Sequence, residues 1–277
     1  MGLLLGAASR PRPALLAPAG PRRGRSDRSG RVTAPLARRA LGELVGTAAL
    51  VAVVVGSGIQ ATELTDDVAL QLLANSLATV FGLGVLIALL GPLSGAHFNP
   101  AVTLAAWWTG RRNQDGPDRR DVAAYIAAQI AGGVGGTILA NAMFAEPLTR
   151  LSTHDRSAGH LWLAEVVATA GLVLLALGLA RTGQQRLSPL VVASYIGAAY
   201  WFTSSTSFAN PAVTIARAFS DSFAGIAPAS VPPFVAAQFL GAAFGVCLVA
   251  ALFGRLPAPK DRARVSSGEH ELTATSH

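Results

Sequence analysis

Cysteine is nearly absent from this 277-residue chain. Cys247 stands alone, so no intrachain disulfide can form and the redox compartment goes unread. Charge is scarce too: 13% of residues are Asp, Glu, Lys or Arg against 51% hydrophobic, which excludes an ordinary soluble globular domain. The histidines are scattered, with His270 and His277 close to the C-terminus, and nothing has the spacing of a metal site or of a nucleophile with its base. The sequence therefore offers no ground for an enzyme, a bound metal or a cofactor.

What fills the chain instead is apolar runs of membrane-spanning length. Residues 40–60, 68–91, 122–144, 161–180, 188–202 and 232–254 each come near the roughly 20 residues that cross a hydrocarbon core. The fifth run is the shortest and merges into the polar stretch 203–207. The net charge of +7 is distributed as six spans would distribute it. Basic residues cluster between Arg10 and Arg39, at Arg111, Arg112, Arg119 and Arg120, at Arg181 and Arg186, and after the last run at Arg255, Lys260, Arg262 and Arg264. The alternate side holds Arg150, Arg156 and Arg217, together with the acids Glu63, Asp66 and Asp67. The positive-inside rule then places both termini in the cytoplasm of a multi-pass cell-membrane protein, and the expected partner of the basic charge is the lipid bilayer, with no nucleic acid. Residues 1–37, rich in Arg, Pro, Ala and Gly, are expected to be disordered. Leu3 to Leu5 is too short an apolar core for a signal peptide, and a translation start near Val32 is the alternative for this segment. A domain over 38–254 and a mobile cytoplasmic tail over 255–277 complete the expected organisation.

The interior of the chain says the same thing twice. ELVGTAALV from Glu43 returns as EVVATAGLV from Glu165, HFNPAVTLAA from His97 as FANPAVTIAR from Phe208, and AAQIAGG from Ala127 as AAQFLGA from Ala236. Three landmarks recur in one order, giving two homologous parts, about 41–144 and 163–254. Each part has three spans, an odd number, so the second enters the membrane in the opposite direction. Proline suits the first turn of a helix and asparagine the position before it. Each Asn-Pro-Ala therefore predicts the start of a short helix, Pro100 to about Trp108 and Pro211 to about Ser220. About ten residues reach only about 15 Å, half the hydrocarbon thickness, so two such helices would meet at the midplane and line a watery cavity. Their positive N-terminal ends repel cations there, while Asn99 and Asn210 offer amide donors. Gly132, Gly136, Gly241 and Gly245 are spaced for close helix packing, and Trp107, Trp108 and Trp201 are simplest as interface or packing aromatics.

At SGAHFNPAVT from Ser94 and the second Asn-Pro-Ala at Asn210, the chain resembles the aquaporin and glycerol facilitator family, the major intrinsic proteins. The resemblance extends over roughly 41–254. It implies an all-α membrane protein of six transmembrane helices plus two re-entrant half-helices in an inverted repeat, with one pore per subunit in a homotetramer. It also implies that Asn99, Pro100, Ala101, Asn210, Pro211 and Ala212 form the pore motifs, that His97 lines the cytoplasmic half, and that Glu43 and Glu165 brace the loops. Plainer readings stand beside these: His97 as a packing residue, and the glutamates as headgroup-seeking charges.

The chain departs from the family at the outer selectivity filter, where most relatives place an arginine directly after the second Asn-Pro-Ala and this one has Val213. Ungapped counting from the asparagines puts the other filter positions at Thr79, Ala198 and Ser207, with Phe81 the alternative to Thr79. These small side chains imply a wider, less polar constriction. Arg217 lies four residues beyond Val213 on the same helix face and either leans back to the vacant level or caps the vestibule loops. The expected function is a passive channel for water and small neutral solutes, such as glycerol-type polyols or undissociated metalloid acids. The wording NPAVTIAR followed by FSDSFAG also looks like a bacterial branch associated with arsenic detoxification. The alternatives are a strict water channel and an inverted-repeat secondary transporter, although no intramembrane chain of acids, histidines or lysines suits ion coupling.

Overall fold

A computed structural model describes residues 34–111 and 116–254. The expectations for the basic N-terminal segment and for the tail after 254 fall outside these residues, except that the first helix already begins at Leu36. Among the described residues, eight α-helices follow one another: α1 (Leu36–Leu64), α2 (Val68–Ser94), α3 (Pro100–Gly110), α4 (Arg119–Met143), α5 (Gly159–Arg181), α6 (Ser188–Phe202), α7 (Pro211–Arg217) and α8 (Val231–Phe253). Among the described residues, five segments are long and apolar enough to cross a membrane: α1, α2, α4, α5, and α8 with the 3-10 turn Pro228–Ser230 before it. The remaining span, α6, fifth in chain order, has 15 residues and is preceded by a 3-10 turn over Gln185–Leu187, so the pair together approach the bilayer thickness.

Local chemistry sets the helix ends. Asp67 caps α2 by accepting from the amides of Ala69 and Leu70, and Asp118 opens α4 in a reciprocal capping box with Asp121. Asn99 and Asn210 cap the half-helices, each with proline in the first turn behind it. α3 runs to Gly110, two residues past the expected end. α7 stops at Arg217, three short of it, because the chain turns there into the loop that leads to α8.

The repeat pairs α1 with α5, α2 with α6, α3 with α7 and α4 with α8. The closest crossings are α1 on α4 and α5 on α8, one in each part. Glycine makes them close. A methyl group at Gly132 would lie 2.2 Å from the carbonyl oxygen of Leu44, and one at Gly241 2.4 Å from that of Val166. With backbones this near, the interior is filled by small and branched residues such as Val51, Val55, Ala140, Ala168 and Val173, all fully buried. The outer surface is apolar as well. Leu77, Phe81, Val85 and Leu89, four apart along α2, are all exposed, which suits lipid and not water.

Hydrogen bonds fix which ends lie together. Arg39 at the start of α1 pairs with Asp121 at the start of α4 (2.8 Å), and Arg181 at the end of α5 donates to the Gly254 carbonyl (2.8 Å). On the opposite face, the 145–158 loop is stitched to the loop after α7: the Arg150 and Ser152 amides donate to the Phe219 and Ala218 carbonyls, and the Ala227 amide to that of His154.

Candidate functional site

Two buried carboxylates organise the centre of the molecule. Glu43 accepts four hydrogen bonds: Oε1 from the Ser94 hydroxyl (2.7 Å) and the His97 amide (3.0 Å), Oε2 from the Phe98 amide (2.7 Å) and Gln129 Nε2 (2.8 Å). Glu165 repeats the pattern with the Ser205 hydroxyl (2.6 Å), the Phe208 amide (2.9 Å), the Ala209 amide (2.8 Å) and Gln238 Nε2 (2.6 Å). Both are fully buried, and such a charge is tolerable only when every lone pair finds a donor. The loops they hold are strained in the same places. Ala96 and Phe98 in one loop, and Ser207 and Ala209 in the other, have φ between 47° and 52°, left-handed values that non-glycine residues avoid. Each costs on the order of 1 to 3 kcal/mol, and the carboxylate bonds to the neighbouring amides keep that geometry.

The asparagines then join the halves. Each Oδ1 caps its own half-helix, and each Nδ2 crosses to the opposite loop: Asn99 to the Ala209 carbonyl (2.7 Å) and Asn210 to the Phe98 carbonyl (2.7 Å). One amide N–H of each pair is thereby engaged, and the second is left for the lumen. Asn99 and Asn210 both line a cavity of about 840 Å³ that runs from Tyr200, Ser207 and Arg217 at one end, past Val213 and His97, to Gln185, Arg186 and Ser188 at the other. His97 Nδ1 lies 3.0 Å from the Thr103 hydroxyl, and its ring meets Tyr125 edge to face at 5.6 Å. Pro100, Ala101, Pro211 and Ala212 are buried behind the asparagines and form the first turns of α3 and α7.

The structure separates the residues counted toward the constriction. Thr79 is buried and lines the cavity, while Phe81 is 69% exposed on the outer surface. Val213, Ser207 and Arg217 line the cavity as well, and the Ser207 hydroxyl has no partner. Ala198 does not belong with them. It is exposed, and the wall is supplied by Tyr200, whose hydroxyl sits 3.1 Å from that of Thr79. Two residues on a helix are about 200° of rotation, so a count that is off by two lands on the opposite face. The cavity wall at this end is therefore not made of small side chains only: it contains the Tyr200 and Phe208 rings, and an arginine one turn beyond Val213.

Arg217 itself is 3% exposed, donates from Nε to the Ala224 carbonyl, and stacks its guanidinium 3.4 Å from the centroid of the Phe208 ring. Sequence reasoning missed Tyr200 and Phe208. The second was legible in principle, since it occupies the position of His97 in the repeat. Among the described residues no group of three His, Cys, Asp or Glu is gathered to hold a metal ion.

Two re-entrant half-helices meeting at a lined cavity, inside an inverted repeat of spanning helices, define a membrane channel. The profile of the family described as "Major intrinsic protein" matches residues 31–207. The chain is 50% identical over 214 residues to aquaglyceroporin AqpS of Rhizobium meliloti (strain 1021), an alignment covering 77% of this chain and 89% of that one. It is 32% identical over 170 residues to the glycerol uptake facilitator protein of Bacillus subtilis (strain 168), covering 54% and 58% of the two chains. Among solved structures, the X-ray structure of the aquaglyceroporin from Plasmodium falciparum shares the fold at a TM-score of 0.55 and 22% identity, covering 78% of this chain and 96% of that one. The chain belongs to the major intrinsic protein family: it is a multi-pass membrane channel and not an enzyme.

Proposed function

We propose that the protein is a passive channel for water and glycerol-sized polyols, one pore per subunit of a homotetramer in the cell membrane, with both termini cytoplasmic. The observation that carries this reading is the two-faced chemistry of the cavity wall. Val213 and the Phe208 ring supply apolar surface; the Thr79 and Tyr200 hydroxyls and the Arg217 guanidinium supply hydrogen-bonding groups. A polyol has the same division, a carbon chain along one edge and hydroxyls along the other, so it can shed water on both edges and lose little. The names of the relatives, an aquaglyceroporin and a glycerol uptake facilitator, support the same solute class.

In this reading Asn99 and Asn210 donate to passing oxygens at the midplane and His97 lines the cytoplasmic half. Thr79, Tyr200, Ser207, Val213 and Arg217 form the outer constriction, and Glu43 and Glu165 brace both loops. Undissociated metalloid acids such as arsenous acid, compact and rich in hydroxyls, fit the same wall. Stopped-flow light scattering on proteoliposomes tests the proposal: glycerol flux above empty liposomes, non-saturable and indifferent to ion gradients, is expected. Water flux without glycerol flux would make it a strict water channel, and saturable gradient-coupled uptake would make it a transporter.

A further inference from the structure

The outer mouth holds a second arginine that the pore reading does not use. Arg156, in the loop between α4 and α5, is 8% exposed, and its guanidinium lies 5.0 Å from the centroid of the Phe208 ring that Arg217 also faces. The two side chains are held alike. Arg217 Nε donates to the Ala224 carbonyl and Arg156 Nε to the next one, that of Gly225 (3.0 Å), while the Arg156 amide donates to the Ser230 hydroxyl (3.0 Å).

Neither guanidinium touches a carboxylate among the described residues. Of the three acids in these loops, Glu146 is exposed, Asp221 takes the Thr153 amide and hydroxyl and pairs with Arg150 (3.4 Å), and Asp155 takes the Ser157 amide and the Ser230 hydroxyl. Two buried cations beside one aromatic ring, each held by a carbonyl and a π face, feel a single carboxylate at a distance, that of Glu165, which four other donors already satisfy, so net positive charge remains at this end of the cavity. The effect reaches the surface. Partial burial holds the His154 pKa below the usual histidine value, and the nearby Arg156 and Arg217 charges lower it further.

We propose that Arg156 is a second specificity determinant of the outer constriction, a positioning residue that holds the Phe208 platform for Arg217 and adds a positive charge against which cations must enter. This rests on the constriction described under the proposed function. Arg156 does not line the cavity; it acts through Phe208 and through the field, which carries far where protein and lipid replace water.

The test is methylammonium cation leak in proteoliposomes, expressed relative to glycerol flux in the same vesicles. Arg156→Gln is expected to raise that ratio about tenfold, the weight of one unit charge at such a distance. Arg156→Lys, which keeps the charge, is expected to restore exclusion. Ser157→Asp, at an exposed neighbouring position, sets an acid beside Arg156 without removing it; it is expected to raise the ratio about threefold and serves if Arg156→Gln does not reach the membrane. An unchanged ratio in Arg156→Gln or in Ser157→Asp overturns the proposal, as does equal leak in the Gln and Lys variants, which would make Arg156 a loop staple. Arg217→Ala separates the two levels of argument. If it leaks and Arg156→Gln does not, only this inference falls; if Arg217→Ala excludes cations as the parent does, the constriction reading falls with it.

Discussion

His97 in the first re-entrant loop and Phe208 in the second occupy the same repeat position, and this exchange, together with Arg217 at the position of Ala106, makes the two ends of the cavity different. The framework around them is shared: a glutamate taking four donors, an asparagine crossing to the opposite loop, a glutamine reaching both carboxylate and threonine. Even the aromatic neighbour is kept, with His97 against Tyr125 at 5.6 Å and Phe208 against Phe234 at 5.3 Å, both edge to face. With a polar ring, the threonine hydroxyl is drawn sideways, Thr103 to His97 at 3.0 Å. With an apolar ring it turns back on its own helix, Thr214 to the Asn210 carbonyl at 2.8 Å. The cations follow suit. Arg39, near Tyr125, is neutralised by Asp121 at 2.8 Å, whereas Arg156 and Arg217, over Phe208, meet carbonyls only. A duplicated scaffold keeps what holds the backbone and varies the layer that faces the cavity.

That comparison is sharpest where the halves should behave alike. Glu43→Gln and Glu165→Gln each turn one acceptor into a donor facing backbone or hydroxyl donors, so each is expected to destabilise by about 3 kcal/mol or more, and by similar amounts. Thermal unfolding in detergent measures this, and tolerance of one change but not the other would break the equivalence of the two nodes. Glycine comes next. Gly132→Ala, with a carbonyl at 2.2 Å, is expected to cost more than Gly245→Ala, where the nearest carbonyl is at 2.7 Å, the former about 2–3 kcal/mol and the latter about 1.

Where the halves differ, the effects are on flux. Val213→Arg adds a long cation beside Tyr200 and Ser207, and glycerol permeability is expected to fall about tenfold more than water permeability, as stopped-flow rates would read; equal losses would mean that position 213 does not set solute size. His97→Phe makes the first loop resemble the second and leaves the Thr103 hydroxyl to turn back on the Asn99 carbonyl as Thr214 does on that of Asn210, so a stability change under about 1 kcal/mol is expected in thermal unfolding, with glycerol flux retained. The smallest effect is expected from mercurials. Cys247 is exposed on α8 and absent from the cavity wall, so inhibition in liposomes should stay under about twofold, and strong block abolished by Cys247→Ser would relocate that helix.

The scaffold was readable because its residues come in pairs. The glutamates, the Asn-Pro-Ala turns and the Gln helices stand at matching places, and their polar groups are conspicuous in apolar surroundings. The helical fold, the direction of the repeat and the half-helices followed from those residues. The wall was harder to read. A soluble helix betrays its inner face by a long amphipathic period; in α2 the inward polar stripe is short, Gln71, Asn75 and Thr79 giving way to Leu83 and Ile87, so the four-residue spacing that sets Thr79 apart from Phe81 is a faint signal. Ala198 was misplaced because the count ran through the irregular stretch from Thr203 to Asn210, where no period fixes the rotation of α6. Arg156 had no signal at all: Phe208 and Gly225 are far from it in sequence, and no repeat partner marks it.

The exchange between Asn99 and Ala209, and between Asn210 and Phe98, also bears on motion. Each bond has its donor in one half and its acceptor in the other, so neither loop can move away from the other without undoing both. The centre of the pore behaves as a single latch with two hands, and a gate that worked there would have to disengage the halves together. Any regulation built on this framework belongs at the two mouths, where His97 and Phe208 have already made the chemistry unequal.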